Sequence, residues 1–208
     1  MILKNYYWYF KSALTNKFCN DVIEFGNSQK DHQALTGNFQ NKKIGKKEIK
    51  DLKKQRNSNV AWLNQKWIFK EILPYIDKAN VNAEWNYEID FAEECQFTKY
   101  ALNQHYGWHC DSYPEPYKNH PHTNYNGRTR KLSVTCSLSD PENYKGGELE
   151  FNFNNPEKKK RDNIKTCNEI LPKGSIIVFP SFVWHRVKPV IEGTRYSLVI
   201  WSLGYPFK

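Results

Sequence analysis

The chain has 208 residues, of which 39% are hydrophobic, 15% aromatic and 25% charged, with a formal net charge of +9. So much apolar and aromatic material excludes a disordered tail protein, and the length fits a single domain better than two. No apolar run approaches the roughly 20 residues of a membrane-spanning helix. The cluster Tyr6-Tyr7-Trp8-Tyr9-Phe10 is too short and too polar for an export signal. A soluble cytoplasmic protein with no membrane partner is expected.

Five cysteines (Cys19, Cys95, Cys110, Cys136, Cys167) are scattered and form no C-x-x-C pair, so they are expected to be free thiols. The charge sits in two stripes. Residues 41–56 carry a net +6 and residues 157–165 a net +3, which leaves the rest of the chain neutral. Such stripes read as solvated faces or as a surface for an acidic or phosphate-bearing partner, nucleic acid included.

In chain order, the first hundred residues read mostly helical. Thr15 can cap a helix whose Phe18, Val22, Ile23 and Phe25 share a face, with Gly26 ending it. Residues 28–56 read as irregular apart from a short helix near 46–55. Ser58 can cap a second helix carrying Val60, Leu63, Trp67, Ile68 and Ile72, interrupted at Pro74. From about residue 85 alternation takes over, and strands are expected at 88–91, 96–102, 131–138, 148–151, 175–179 and 196–201. Lys145-Gly146-Gly147, Pro172-Lys173-Gly174 and Glu192-Gly193-Thr194 mark turns between them. With no helical period in between, the pattern predicts antiparallel strands in a sandwich or jelly roll.

Six histidines occur, and His109 is informative because it opens His109-Cys110-Asp111. Two residues apart on a strand project to one face, so an imidazole and a carboxylate can grip one ion there. His185, in Val183-Trp184-His185-Arg186-Val187, is the leading candidate to complete a two-histidine, one-carboxylate triad of the kind that suits non-haem iron(II). Cys110 projects the other way and reads as structural. Ten residues beyond His185 stands Arg195, at the start of an otherwise apolar strand, and no acidic residue follows it. Its partner is either an acid elsewhere in the fold or a bound dicarboxylate. His105 would share a face with His109 only on a helix, and its surroundings match a strand and turn. His120 and His122 lie in the loop 112–128, which reads as a surface loop or a lid over the substrate.

The ordered stretches Tyr100–Asp111 (YALNQHYGWHCD), Arg130–Phe151 (RKLSVTCSLSDPENYKGGELEF) and Leu171–Trp201 (LPKGSIIVFPSFVWHRVKPVIEGTRYSLVIW) resemble the iron(II)- and 2-oxoglutarate-dependent dioxygenases. They are most similar to the prolyl 4-hydroxylase-like branch, with bacterial PKHD-type hydroxylases and oxygen-sensing prolyl hydroxylases among its relatives. Residues 56–63 (RNSNVAWL) also look like a helix found before the barrel in prolyl hydroxylases.

The resemblance implies a mainly β fold with flanking α: a double-stranded β-helix, a cupin-like jelly roll of eight core strands, buttressed by N-terminal helices. It would be one catalytic domain over 1–208, with 1–85 as helical support and 86–205 as the core. The same resemblance implies that His109, Asp111 and His185 bind Fe(II), that Arg195 is catalytic by clamping the far carboxylate of 2-oxoglutarate, and that Tyr100 reaches the same cosubstrate. O2 would be the oxidant and ascorbate a reductant. Trp201 matches a pocket-wall position and reads as packing first, and Gly146-Gly147 as a turn. Halogenating relatives lack the carboxylate matched by Asp111, so its presence points to hydroxylation. Collagen-type relatives carry lysine where this chain has Arg195, which points away from a collagen-like substrate.

Three functions follow. The first is hydroxylation of a prolyl residue in a peptide or protein, with 2-oxoglutarate converted to succinate and CO2. The second is related oxygenation of nucleic acid, a free amino acid or a small metabolite. DNA-repair dioxygenases, however, carry a second arginine where this chain has Trp201. The third is a non-enzymatic binding barrel.

Overall fold

The computed structural model describes residues 3–34, 45–153 and 164–207. Helix α1 (Asn16–Ser28) starts as expected, with Thr15 Oγ1 accepting the Phe18 N–H at 3.1 Å. Its end differs. Gly26 lies inside the helix, and glycine is required there because a Cβ would stand 2.6 Å from the Phe97 ring. Helix α2 (Lys46–Gln55) matches the short helix expected near 46–55.

The second expected helix is corrected. Residues 59–63 form a strand that pairs antiparallel with 95–99, burying Val60, Ala61 and Leu63, so RNSNVAWL is strand and not helix. Helix α3 (Lys66–Asn82) starts only after Gln65, and it runs on through Pro74. The lost Pro74 N–H costs roughly 3 kcal/mol. Burial of Ile68, Ile72, Ile76 and Ala79 along one face outweighs it, at about 1.5–3 kcal/mol for each large side chain.

The strands follow in chain order. β1 (Trp8–Phe10), β2 (His32–Gln33), β3 (Arg56–Asn57), β4 (Asn59–Leu63) and β5 (Phe91–Ala92) belong to the N-terminal part. β6 (Cys95–Tyr100), β7 (His105–His109), β8 (Thr129–Ser137), β9 (Tyr144–Gly146) and β10 (Leu149–Asn152) come next. β11 (Ile164–Thr166), β12 (Ile176–Pro180), β13 (Trp184–Val187), β14 (Val190–Gly193) and β15 (Arg195–Gly204) complete the set. The major sheet has the order β1-β12-β8-β15-β6-β4-β2, with β5 on β15; the minor sheet has the order β11-β10-β13-β7-β3. All pairings are antiparallel, as the absence of helical crossovers requires. The two sheets form the jelly roll.

Period-2 alternation in β8, β12 and β15 decides what each face of the major sheet does. Val134, Cys136, Ile176, Val178, Leu198 and Ile200 point outward and join Leu14, Phe18, Val22, Ile68 and Ile72 of the helical region in one apolar core. The alternate residues point between the sheets. There Ile177 and Phe179 pack with Leu149, Phe151 and Val187 of the minor sheet, while Thr135, Arg195, Ser197 and Trp201 line a cleft. The helices therefore close the outer face, and the inner face is left to build a site. No helix among the described residues is long and apolar enough to cross a membrane. All five cysteines are free, as expected.

Candidate active site

His109 ends β7 and His185 lies on β13, and the two strands put these residues directly opposite one another. The sequence places His185 just after a strand; in the structure it has a strand of its own, paired with β10 on its other side. Asp111 sits two residues past β7, held by its N–H to the Ser181 carbonyl at 2.8 Å. The carboxylate is therefore aimed by the turn after the strand and not by strand alternation. One ligand atom from each of His109, Asp111 and His185 falls within 4.8 Å of the others. Nε2 of His109 is 3.7 Å from Asp111 Oδ1, and Nε2 of His185 is 3.6 Å from Asp111 Oδ2.

The other nitrogen of each imidazole is committed to backbone: His109 Nδ1 to the Gly107 carbonyl at 2.8 Å, His185 Nδ1 to the Val183 carbonyl at 3.0 Å. Those contacts fix the tautomers so that both Nε2 lone pairs face the common centre. Tyr106 lies flat on His109, with ring centroids 3.5 Å apart, and the Arg56 guanidinium covers its other face at 4.3 Å. Burial and the neighbouring His185 hold the His109 pKa well below its usual value. Burial alone would raise Asp111, but His185, His109, Arg130 and the Ser133 hydroxyl together bring it down to about 2. At neutral pH the site thus offers a neutral His109 and an ionised Asp111, the protonation states a divalent cation needs. Two imidazoles and one carboxylate, converging from one side, leave coordination positions open and fit iron(II).

In the same cleft Arg195 opens β15, opposite Tyr100 on β6. Its side chain is only 3% exposed. Its guanidinium lies 5.5 Å from the Tyr100 ring, and its one hydrogen bond to protein is a long one, Nη1 to Ser197 Oγ at 3.4 Å. No acidic partner faces it among the described residues. A buried guanidinium with no counter-charge among the described residues is poised for an anionic ligand.

Gly147 does more than turn the chain. At φ +67° a side chain is strained, and a Cβ would fall 2.9 Å from Arg195 Cδ. Gly147→Ala is therefore expected to displace the Arg195 side chain and weaken 2-oxoglutarate binding by about tenfold, the equivalent of roughly 1.4 kcal/mol, while metal affinity stays unchanged. Titrating 2-oxoglutarate against the metal-loaded variant checks this.

The other histidines stay outside the cluster. His105 bonds to the Asn103 and Lys54 carbonyls. His120 and His122 sit with Tyr125 in the loop 112–128, which is pinned by Tyr117 through two backbone bonds and through its hydroxyl to Glu93 at 3.1 Å. Cys110 is half-buried and burial raises its thiol pKa, in line with a structural role.

Several residues at the cleft carried no sequence signal. Arg56, Tyr106 and Gln96 line it. Arg130 makes a buried ion pair with Glu93 at 2.6 Å and covers the Trp201 ring at 3.9 Å. The buried indole N–H of Trp201 has no hydrogen-bond partner among the described residues. Such roles come from pairings between distant strands.

A jelly roll whose cleft holds a His-Asp-His cluster and a buried arginine with no acidic partner among the described residues is an oxygenase-type scaffold. The profile of the 2OG-Fe(II) oxygenase superfamily matches residues 95–203, more than half of the chain, and the protein belongs to that family. Family membership implies Fe(II), 2-oxoglutarate and O2. A PKHD-type hydroxylase of Synechococcus sp. (strain CC9605) is 35% identical over 105 residues, covering 50% of this chain and 39% of that protein. The PKHD-type hydroxylase YbiX of Escherichia coli O1:K1 / APEC is 37% identical over 106 residues, covering 50% of this chain and 40% of its own. The matched stretch thus spans about two-fifths of these relatives' length.

Among solved structures, the viral collagen prolyl hydroxylase of Paramecium Bursaria Chlorella virus-1, a 2OG complex, superposes with a TM-score of 0.62 at 19% identity, covering 97% of each chain. A prolyl hydroxylase of Trichoplax adhaerens, in complex with a hypoxia inducible factor peptide fragment, gives 0.58 at 17% identity, over 96% of this chain and 84% of that one. Both likenesses show the shared fold.

Proposed function

We propose that this chain is a 2-oxoglutarate-dependent dioxygenase that hydroxylates a prolyl residue in a peptide or protein. His109, Asp111 and His185 hold the iron, and Arg195 with Tyr100 holds the cosubstrate, all within one catalytic domain. The observation that carries this reading is the pairing of two incomplete groups in one cleft: a convergent ligand set, and a buried Arg195 with no acidic partner among the described residues. A divalent metal ion would satisfy the first, and a carboxylate of the cosubstrate would satisfy the second. The names of the PKHD-type relatives support hydroxylation, and those of the two prolyl hydroxylase neighbours support the prolyl substrate.

Iron and 2-oxoglutarate, when bound, let dioxygen convert 2-oxoglutarate to succinate and CO2 and place its second oxygen atom in a substrate C–H bond. The chain's own residues do the rest. Arg195 orients the cosubstrate with a planar fork that matches a carboxylate. Buried Tyr100 keeps its proton, because burial raises its pKa, and so remains a hydrogen-bond donor. Phe179, Leu149 and Val187 keep water from the cleft. The indole N–H of Trp201, without a partner among the described residues, is available to a carbonyl of the bound substrate.

Succinate release across proline-containing peptides, with ascorbate present and mass spectrometry for one added oxygen, tests this reading. Oxygen found on a nucleic acid, free amino acid or metabolite and on no peptide would replace it.

The basic stripe bears on the partner. Residues 41–44 and 157–163 lie outside the described residues, but α2 is pinned beside the site. Gln55 Nε2 donates to the Trp108 carbonyl at 2.9 Å, next to His109. Lys47, Lys50 and Lys53 are exposed and have no ion pair among the described residues, whereas Lys54 pairs with Asp51. A substrate with acidic residues near its proline suits this face. The triple variant Lys47→Glu, Lys50→Glu, Lys53→Glu is expected to raise KM for such peptides several-fold at low salt, leaving 2-oxoglutarate affinity unchanged. Equal KM values would mark the lysines as solvated surface.

A further inference from the structure

Asp111 straddles the two histidines: Oδ1 faces His109 and Oδ2 faces His185 at nearly the same distance, 3.7 and 3.6 Å. A carboxylate so placed can bind an ion through one oxygen or through both. The difference matters, because a two-oxygen grip takes a coordination position away from the ligands that must enter.

The symmetry is broken by a fully buried serine. Ser133 Oγ lies 2.7 Å from Asp111 Oδ2 and 2.9 Å from Ser181 Oγ, and both serines are 0% exposed. The direction of the relay follows from proton count. An ionised carboxylate only accepts, so Ser133 spends its single hydroxyl proton on Asp111. Ser181 must then donate its own to Ser133. A hydroxyl that is itself accepting is a stronger donor, so Ser181 strengthens the bond to Asp111.

The relay is also rigid. Ser133 lies mid-strand in β8, between Phe179 of β12 and Trp201 of β15. Ser181 donates its N–H to the Lys131 carbonyl, and its own carbonyl receives the N–H groups of Asp111 and Ser112. Ser181 stands in the turn that leads to His185. It therefore couples the segment bearing the carboxylate to the one bearing the second histidine.

We propose that Ser133, backed by Ser181, is a positioning residue that engages Oδ2 and keeps Asp111 a one-oxygen ligand, so that three positions on the ion stay open. The proposal rests on the metal-binding reading above. Its test uses Mn(II) on the full chain without cosubstrate. Free-ion EPR reads affinity, and water-proton relaxation per bound ion reads the number of exchangeable waters.

Ser133→Ala should bind Mn(II) with relaxation per ion reduced by about a third, as open positions fall from three to two. Ser133→Thr, which keeps the hydroxyl, should restore the wild-type value, and Ser181→Ala should fall between. A merely structural role would lower the melting temperature and leave relaxation per bound ion alone. Wild-type relaxation in folded Ser133→Ala would overturn the proposal. Should that variant fail to fold, wild-type relaxation in Ser181→Ala would do the same. Absence of Mn(II) binding in the wild type would instead reject the metal site itself.

Discussion

His109→Ala, Asp111→Ala and His185→Ala will each abolish 2-oxoglutarate turnover while the jelly roll stays folded. Each residue supplies one of the three groups that, among the described residues, converge on the candidate ion site. Loss of an outer partner of a metal ligand typically costs roughly 10–100-fold in affinity, so loss of a ligand itself should cost more. The fold survives because the apolar cores on either side of the major sheet do not include these side chains. Iron titration with far-UV circular dichroism checks both halves. Retention of iron and of succinate production by any of the three would remove that residue from the ligand set. His120→Ala and His122→Ala serve as controls and should keep iron bound, since both lie in the loop 112–128 and outside the cluster.

The second large effect is at Arg195. Arg195→Ala should weaken 2-oxoglutarate binding by about 2–5 kcal/mol, which is about thirty-fold or more, because a carboxylate entering the cleft there is left without a buried counter-charge. Arg195→Lys keeps a cation but loses the planar fork, so its loss should be smaller. Neither change should alter iron affinity, since Arg195 lines the same cleft but is not among the clustered ligand residues. Unchanged 2-oxoglutarate affinity in both variants would reject the clamp.

The sequence revealed the barrel better than its supports. β8 and β15 alternate between an apolar outer face and a more polar inner one, and β12 is a short apolar run between turn signals, so these strands were legible. Residues 59–63 were not, because Val60 and Leu63 are also spaced as on a helix. Their partner strand, β6, lies more than thirty residues away. Pro74 misled for a related reason: tertiary burial of Ile72 and Ile76 outweighs a local break. Short strands such as β1, β9 and β14 have too few residues to show any period.

The site divides in the same way. His109, Asp111, His185 and Arg195 were legible because their residue types are costly to bury without a purpose. The serines and aromatics that orient them are ordinary strand residues. Ser133 is one inward position among several in β8, and only the approach of Asp111 and Ser181 across the fold gives it significance.

Anaerobic addition of iron(II) and then 2-oxoglutarate to the full chain tests the central claim most directly. The account predicts a weak visible charge-transfer band that needs both additions, is lost in Asp111→Ala, and decays on admission of oxygen with release of succinate. A protein that binds neither iron(II) nor 2-oxoglutarate and gives no band would contradict it, and would leave a barrel used for binding alone.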